Sequence, residues 1–184
     1  MTEPRTGILL VCTANQCRSP LAAAIATRDA AGLPVQFDSA GLIEGGHRTP
    51  TTGIRVAAEL GLDLSHHVSQ QVDLSSAADY AVVLTMTREQ ARELVADAPA
   101  LWPRVFTLKQ FARWLRDHPY PGGIDLRSWL GIEAEHRTKL DLVGANRDDD
   151  VRDPLRSSAR VWRYVADDLE THLQLVLRAL YPTD

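Results

Sequence analysis

The 184-residue chain has only two cysteines, Cys12 and Cys17. Two thiols this close cannot staple a secreted fold, so a disulfide scaffold is excluded and a reducing, cytoplasmic setting is expected. Long apolar runs are missing too. None approaches the ~20 residues of a membrane span, and no membrane partner is expected. Ile8 to Cys12 is too short for a secretion signal and follows no basic stretch. There is no basic excess: 20 Lys and Arg face 24 Asp and Glu, for a net charge of −4 and a pI of about 5.8. Non-specific nucleic-acid binding wants a basic face, so no nucleic-acid partner is expected. Lysine is nearly absent, with Lys109 and Lys139 against 18 arginines, a bias from which no function follows. What remains is ordinary. Hydrophobic residues make up 45% and charged residues 24% of the chain. That suffices for a buried core, and the length suits one domain at roughly 100–200 residues each.

Apolar periodicity gives the order of elements. Ile8 to Val11, Val35 to Ser39, Tyr80 to Leu84 and Arg104 to Thr107 read as short strands. Helices are expected from Ser19-Pro20 to Ala31, with Ser19 as N-cap and Pro20 at the first position. Others are expected over Thr51 to Leu60, Thr87 to Ala96 and Leu108 to Leu115. A long closing helix is marked by an apolar stripe of Trp162, Val165, Leu169, Leu173, Val176 and Leu180. Residues 117–150 are irregular, with room for a helix near Ser128 to Leu140. Strands alternating with helices predict an α/β fold with a parallel sheet and helices on both faces. In such sheets ligands sit at the carboxyl ends of the strands, which singles out the loop after the first strand.

That loop reads Cys12-Thr13-Ala14-Asn15-Gln16-Cys17-Arg18-Ser19-Pro20. Its backbone N–H groups, ending at a helix N-terminus, can curl around an anion. Arg18 adds a planar fork for two phosphate oxygens. The same positive field favours a thiolate at Cys12, aimed at phosphorus. Ser19 can donate a hydrogen bond to the sulfur and make it a better leaving group. Breaking a phosphate ester also needs an acid, and Asp153, held extended by Pro154, is the candidate. Cys17, five positions from Cys12, is a candidate redox guard that traps an oxidised Cys12 as a disulfide. His66-His67 lacks the pattern of a metal site and is given a turn or network role. Asp148-Asp149-Asp150 reads as a solvated acidic run.

The nine residues from Cys12 to Pro20 resemble the signature of the low-molecular-weight protein tyrosine phosphatases, Cys-x-Gly-Asn-x-Cys-Arg-Ser-Pro after an apolar strand. Ser39-Ala40-Gly41, Gly61 to Ser65 with His67, Asp79 to Thr87 and Asp153-Pro154 extend the likeness. The resemblance implies a flavodoxin-like three-layer sandwich with a four-stranded parallel sheet, as a single phosphatase domain over residues 1–184 extended by an insertion at about 117–150. It implies cysteine-dependent hydrolysis of phosphotyrosine in proteins through a phosphocysteine, with no metal and no cofactor. Cys12 is then nucleophile, Arg18 clamp and Asp153 general acid. Thr13, Ala14, Asn15, Gln16, Cys17 and Ser19 form the phosphate loop, with Ser39 and His67 in its supporting network. The implied partner is a phosphorylated protein, a tyrosine kinase or its substrate, and inorganic phosphate is the product.

Some positions depart from the pattern. Ala14 stands for the usual Gly, Ala23 for a Glu, and Leu155-Arg156 where Tyr is common. Leu42 to His47 holds no aromatic ring to flank a substrate. Tyr120 and Trp129 could supply a wall, but packing on the core is the favoured reading. Gln16 replaces the Thr of related phosphoarginine-specific enzymes. Arsenate reduction on the same fold lacks further cysteines here, and a non-catalytic phosphate-binding module does not account for Cys12, Arg18 and Asp153 together.

Overall fold

The computed structural model describes residues 6–144, 146 and 148–182; the stretch from Met1 to Arg5, read above for a secretion signal, lies outside them. Four strands, β1 (Thr6–Cys12), β2 (Val35–Gly41), β3 (Val82–Thr85) and β4 (Val105–Thr107), form one parallel sheet in the order β2-β1-β3-β4. Between and after them run α1 (Arg18–Asp29), α2 (Thr51–Glu59), α3 (Leu74–Ala77), α4 (Arg88–Asp97), α5 (Leu108–Asp117), α6 (Leu126–Glu133) and α7 (Ala159–Leu180). The α/β expectation is met.

Strand alternation divides the core in two. Ile8, Leu10 and Cys12 of β1, with Val82 and Leu84 of β3, pack against α1, α2, α5 and α7. Leu9, Val11 and Val83 point the other way, against α3 and α4. The predicted stripe of α7 is buried at every position from Trp162 to Leu180. Trp162 fits because residue 53 is glycine: a Cβ there would come within 2.5 Å of the indole ring. No helix among the described residues is long and apolar enough to cross a membrane.

Two local expectations are corrected. Helix α1 begins at Arg18 with Cys17 as its cap, and no side chain caps it. Ser19 lies inside the first turn, where its hydroxyl faces Cys12 instead. In the irregular segment the helix is Leu126–Glu133, with 3-10 turns following at Ala134–His136 and Lys139–Leu142. Asp125 caps that helix through Ser128 N–H, which fixes its start ahead of the predicted one. Tyr120 and Trp129 meet edge to face, 5.3 Å apart, and pack on the core as favoured. Arginines fasten this segment. Arg137 lies over the Phe106 and Trp102 rings at 3.6 and 4.3 Å and donates to Trp102 O and Val105 O. Burial pushes its guanidinium down to about 10. Arg92 donates to Gly144 O, and Arg88 to Val143 O.

Candidate active site

The strand order reverses between β1 and β3, the parallel central pair of the sheet, so the loops leaving them diverge and open a crevice at their carboxyl ends. The loop after β1 fills it. Gly41 at the end of β2 makes room: a Cβ there would lie 3.0 Å from Ala14 C, Asn15 N and Thr13 O. Asn15 takes φ of +50°, a conformation Asn tolerates better than most residues. Ala14 does not need positive φ, so its Cβ is accepted without backbone strain.

Hydrogen bonds hold this shape. Asn15 is fully buried; its Nδ2 donates to Ser19 Oγ at 3.0 Å and Ser39 Oγ at 2.9 Å, and its Oδ1 accepts from Gln70 N–H at 3.0 Å. His67 Nε2 donates to Asn15 O at 2.7 Å, which ties it into the same network. Among the described residues no group of three or more His, Cys, Asp or Glu side chains could hold a metal ion. Gln90 Nε2 donates to Thr13 Oγ1 at 3.0 Å, while its Oε1 accepts from Met86 N–H and Thr87 N–H. Gln90 and Gln70 were missed in the sequence. The capping box Thr87-x-x-Gln90 at the start of α4 was the available signal for Gln90.

Cys12 ends β1 at the base of the loop, 2% exposed. Its sulfur accepts from Asn15 N–H at 3.2 Å and sits 3.0 Å from Ser19 Oγ, which also donates to Ala40 O at 3.3 Å. Arg18 is buried; its Nη2 donates to Asp153 Oδ2 at 2.7 Å and its Nη1 to Val151 O at 3.4 Å. Its Nε has no protein partner. The N–H groups of Ala14, Gln16, Cys17 and Arg18 make no hydrogen bond among the described residues. A tetrahedral oxyanion seated in the loop satisfies such donors. Cys17 lies in the core, 4% exposed. Burial first, then the charges of Asp153 and Cys12, push its thiol up to about 12.

Asp153 reaches this point from the far end of the chain. Val151 N–H donates to Met86 O at 2.7 Å, which docks the 151–153 segment just past the end of β3. One step back lies the largest correction to the sequence reading. Asp149 is not solvated but fully buried; Arg88 and Arg113 each meet its carboxylate at 2.5 Å, and Gln110 Nε2 donates to it at 3.1 Å. Asp150 accepts from Arg88 N–H at 2.8 Å, and only Asp148 of the three is exposed. Local sequence could not show this, because both arginines come from other helices. The mouth is aliphatic. Ile43, tied to Thr13 O through its N–H, is 47% exposed, and Leu155, tied to Asp153 Oδ1, is 42% exposed.

The arrangement places a sulfur, an oxyanion cradle and a carboxyl group around one point, which suits attack on a bound phosphoryl group. Residues 7–126 match the family model described as low molecular weight phosphotyrosine protein phosphatase. The chain belongs to that family. A probable low-molecular-weight protein-tyrosine-phosphatase, EpsP of Ralstonia solanacearum, is 34% identical over 113 residues, spanning 61% of this chain and 77% of that protein. A protein-arginine-phosphatase of Geobacillus stearothermophilus is 30% identical over 167 residues, 89% of this chain and 88% of that protein. Its solved structure aligns with a TM-score of 0.68 over 92% of this chain and 89% of that one, at 28% identity. The low-molecular-weight protein tyrosine phosphatase of T. tengcongensis shares the fold, with a TM-score of 0.71 over 95% of this chain and 99% of that one, at 24% identity. The family thus includes tyrosine and arginine phosphatases, and this chain is a phosphatase of that family.

Proposed function

We propose that this phosphatase hydrolyses phosphotyrosine in proteins through a phosphocysteine on Cys12. The convergence of Cys12, Arg18 and Asp153 on one point carries the reading. A phosphoryl dianion enters the loop, its oxygens taken by the free backbone N–H groups and by the Arg18 fork. The Cys12 thiolate attacks phosphorus, the bond to the ester oxygen breaks, and Asp153 gives that oxygen its proton. Water then attacks the phosphocysteine. Asp153 takes its proton, Ser19 hydrogen-bonds the departing thiolate, and inorganic phosphate leaves. A nucleophilic thiolate needs reducing surroundings, which fits the cytoplasm.

Depth supports tyrosine. Cys12 and Asn15 lie below the surface, so the phosphoryl group must ride on a long side chain. Serine and threonine keep phosphorus too near the peptide backbone to reach the sulfur. Phosphoarginine is long enough, and the arginine phosphatase likeness covers 89% of this chain. Against it stands Gln16, bulkier than the Thr of phosphoarginine-specific relatives. The aliphatic mouth at Ile43 and Leu155 gives less stacking than aromatic rings, worth about 0.5–1.5 kcal/mol per pair, so the enzyme should rely on protein contacts beyond the ring. The partner is then a phosphorylated protein, a tyrosine kinase or its substrate. The test is kcat/KM on one peptide carrying phosphotyrosine, phosphoserine, phosphothreonine or phosphoarginine. Phosphotyrosine should exceed serine and threonine by about 10²-fold and should exceed phosphoarginine; a higher value for phosphoarginine overturns the tyrosine reading.

A further inference from the structure

The segment that carries Asp153 also carries charge the chemistry does not use. Arg152, Arg156 and Arg160 are exposed, and among the described residues none has an ion-pair partner, whereas Arg163 is paired with Glu59. This is a concentration of positive charge in a chain of net charge −4. Arg156 holds φ of +60° in the turn closed by Ser157 N–H and Pro154 O, a position that Gly or Asn adopts at less cost.

Two of these arginines line one cavity. Arg152, Arg160, Val161 and Tyr164 surround about 380 Å³ beside the acid loop. Arg152 and Tyr164 also line a neighbouring cavity of about 460 Å³ that ends at Lys109 and Asp168, so the two run together as a groove. Two carboxylates line it, Asp168 in an ion pair and Asp150 on a backbone N–H. Asp168 pairs with Lys109 at 2.7 Å, and Asp150 accepts from Arg88 N–H. Arg152 and Arg160 line the groove with no ion-pair partner among the described residues. Tyr164, 59% exposed, offers an aromatic floor.

We infer that this groove binds an acidic flank of the substrate: Asp or Glu carboxylates on the polypeptide that carries the scissile phosphate. The inference rests on the proposed phosphoprotein hydrolysis and gives it a substrate class. Arg152 adjoins Asp153 in the chain, so a peptide leaving the catalytic loop meets the groove at once. At about 3.3 Å per extended residue, carboxylates about two to four residues from the phosphoresidue come within reach of the two guanidinium groups. The pairs form at an exposed rim and are sensitive to salt.

The test uses the Cys12→Ser protein, in which turnover should be abolished and the loop kept, and three phosphotyrosyl peptides alike except for flanks of Glu, Gln or Lys. Calorimetric affinities should fall in the order Glu, Gln, Lys, with Glu about three- to tenfold tighter than Gln. Adding Arg152→Ala and Arg160→Ala should remove that preference, as should ~0.5 M salt. With Cys12 intact, the double substitution should turn over para-nitrophenyl phosphate within about twofold of the wild-type rate, showing that it is folded. Equal affinity for the three flanks, or a preference that survives the double substitution, overturns the inference. So does a double variant that loses para-nitrophenyl phosphate turnover. The same flanks on a phosphoarginine peptide separate the two failures. A wrong phosphoresidue shifts affinity equally for every flank, whereas a missing groove abolishes flank dependence on either phosphoresidue.

Discussion

Removing the Asp149 carboxylate should both destabilise the protein and loosen its catalytic acid. The side chain has no exposure, and it joins Arg88 of α4, Arg113 of α5 and Gln110 of α5 four residues before Asp153. Asp149→Ala leaves Arg88 facing its own kind with no anion, while Arg113, 41% exposed at its side chain, can turn to water. Breaking a buried pair costs about 3–5 kcal/mol, and hydration of Arg113 reduces this to about 2–4 kcal/mol. For a chain of this length that is a fall in Tm of roughly 5–15 °C. The kinetic effect is selective. With the 151–153 segment less firmly docked on Met86 O, proton delivery by Asp153 suffers while the Cys12 loop, held by Asn15, does not. Below the new Tm, kcat for a substrate with a basic leaving group should fall more than kcat for para-nitrophenyl phosphate, whose leaving group needs little help. Thermal melts and a series of substituted phenyl phosphates measure both effects. A Tm within about 2 °C of wild type, or equal losses across the series, would refute the assigned role of Asp149.

The remaining predictions address single groups. Asp153→Asn should cost about 10²–10⁴-fold in kcat, growing with leaving-group basicity; a loss equal for all substituted phenyl phosphates rejects it as the acid. The hydrogen bond from His172 to Asp168 raises the imidazole above its ordinary value near 6.5. Its stabilisation is therefore complete below about pH 6.5 and is lost as pH rises through the raised value; the Tm gap between wild type and His172→Gln should be larger at about pH 5.5 than at about pH 8.5. Cys17, pushed up to about 12, is almost all thiol at neutral pH and a slow trap for oxidised Cys12. Dithiothreitol should therefore restore more activity to peroxide-treated wild type when the oxidation is done at about pH 9 than at about pH 7. Cys17→Ser should recover little at either, and equal recovery of the two proteins removes Cys17 from any protective part.

Sequence made the chemistry-bearing residues legible where they are local. Cys12 to Pro20 is a continuous stretch bounded by a strand and a helix, and short apolar runs, one alternating stretch and a helical stripe marked the sheet's members and the buried face of α7. Ser19 shows the limit of local rules. A Ser before Pro is a good N-cap signal, yet the helix starts two residues earlier, and Asn15 and Cys12 claim the hydroxyl. Asp149 shows the other limit. Three adjacent carboxylates favour solvent by themselves, and only Arg88 and Arg113, distant in the chain, make burial of the middle one favourable. Gln70 supports Asn15 through its backbone N–H, so side-chain identity carried no signal there.

The most direct test of the account is capture of the phosphoenzyme. Rapid acid quench during turnover of para-nitrophenyl phosphate, followed by proteolysis and mass spectrometry, should find a phosphoryl group on Cys12, at greater occupancy in Asp153→Asn if its second step is slowed more than its first, and none on Cys17. Wild-type turnover by Cys12→Ser, or a phosphoryl group on any residue other than Cys12, would contradict it.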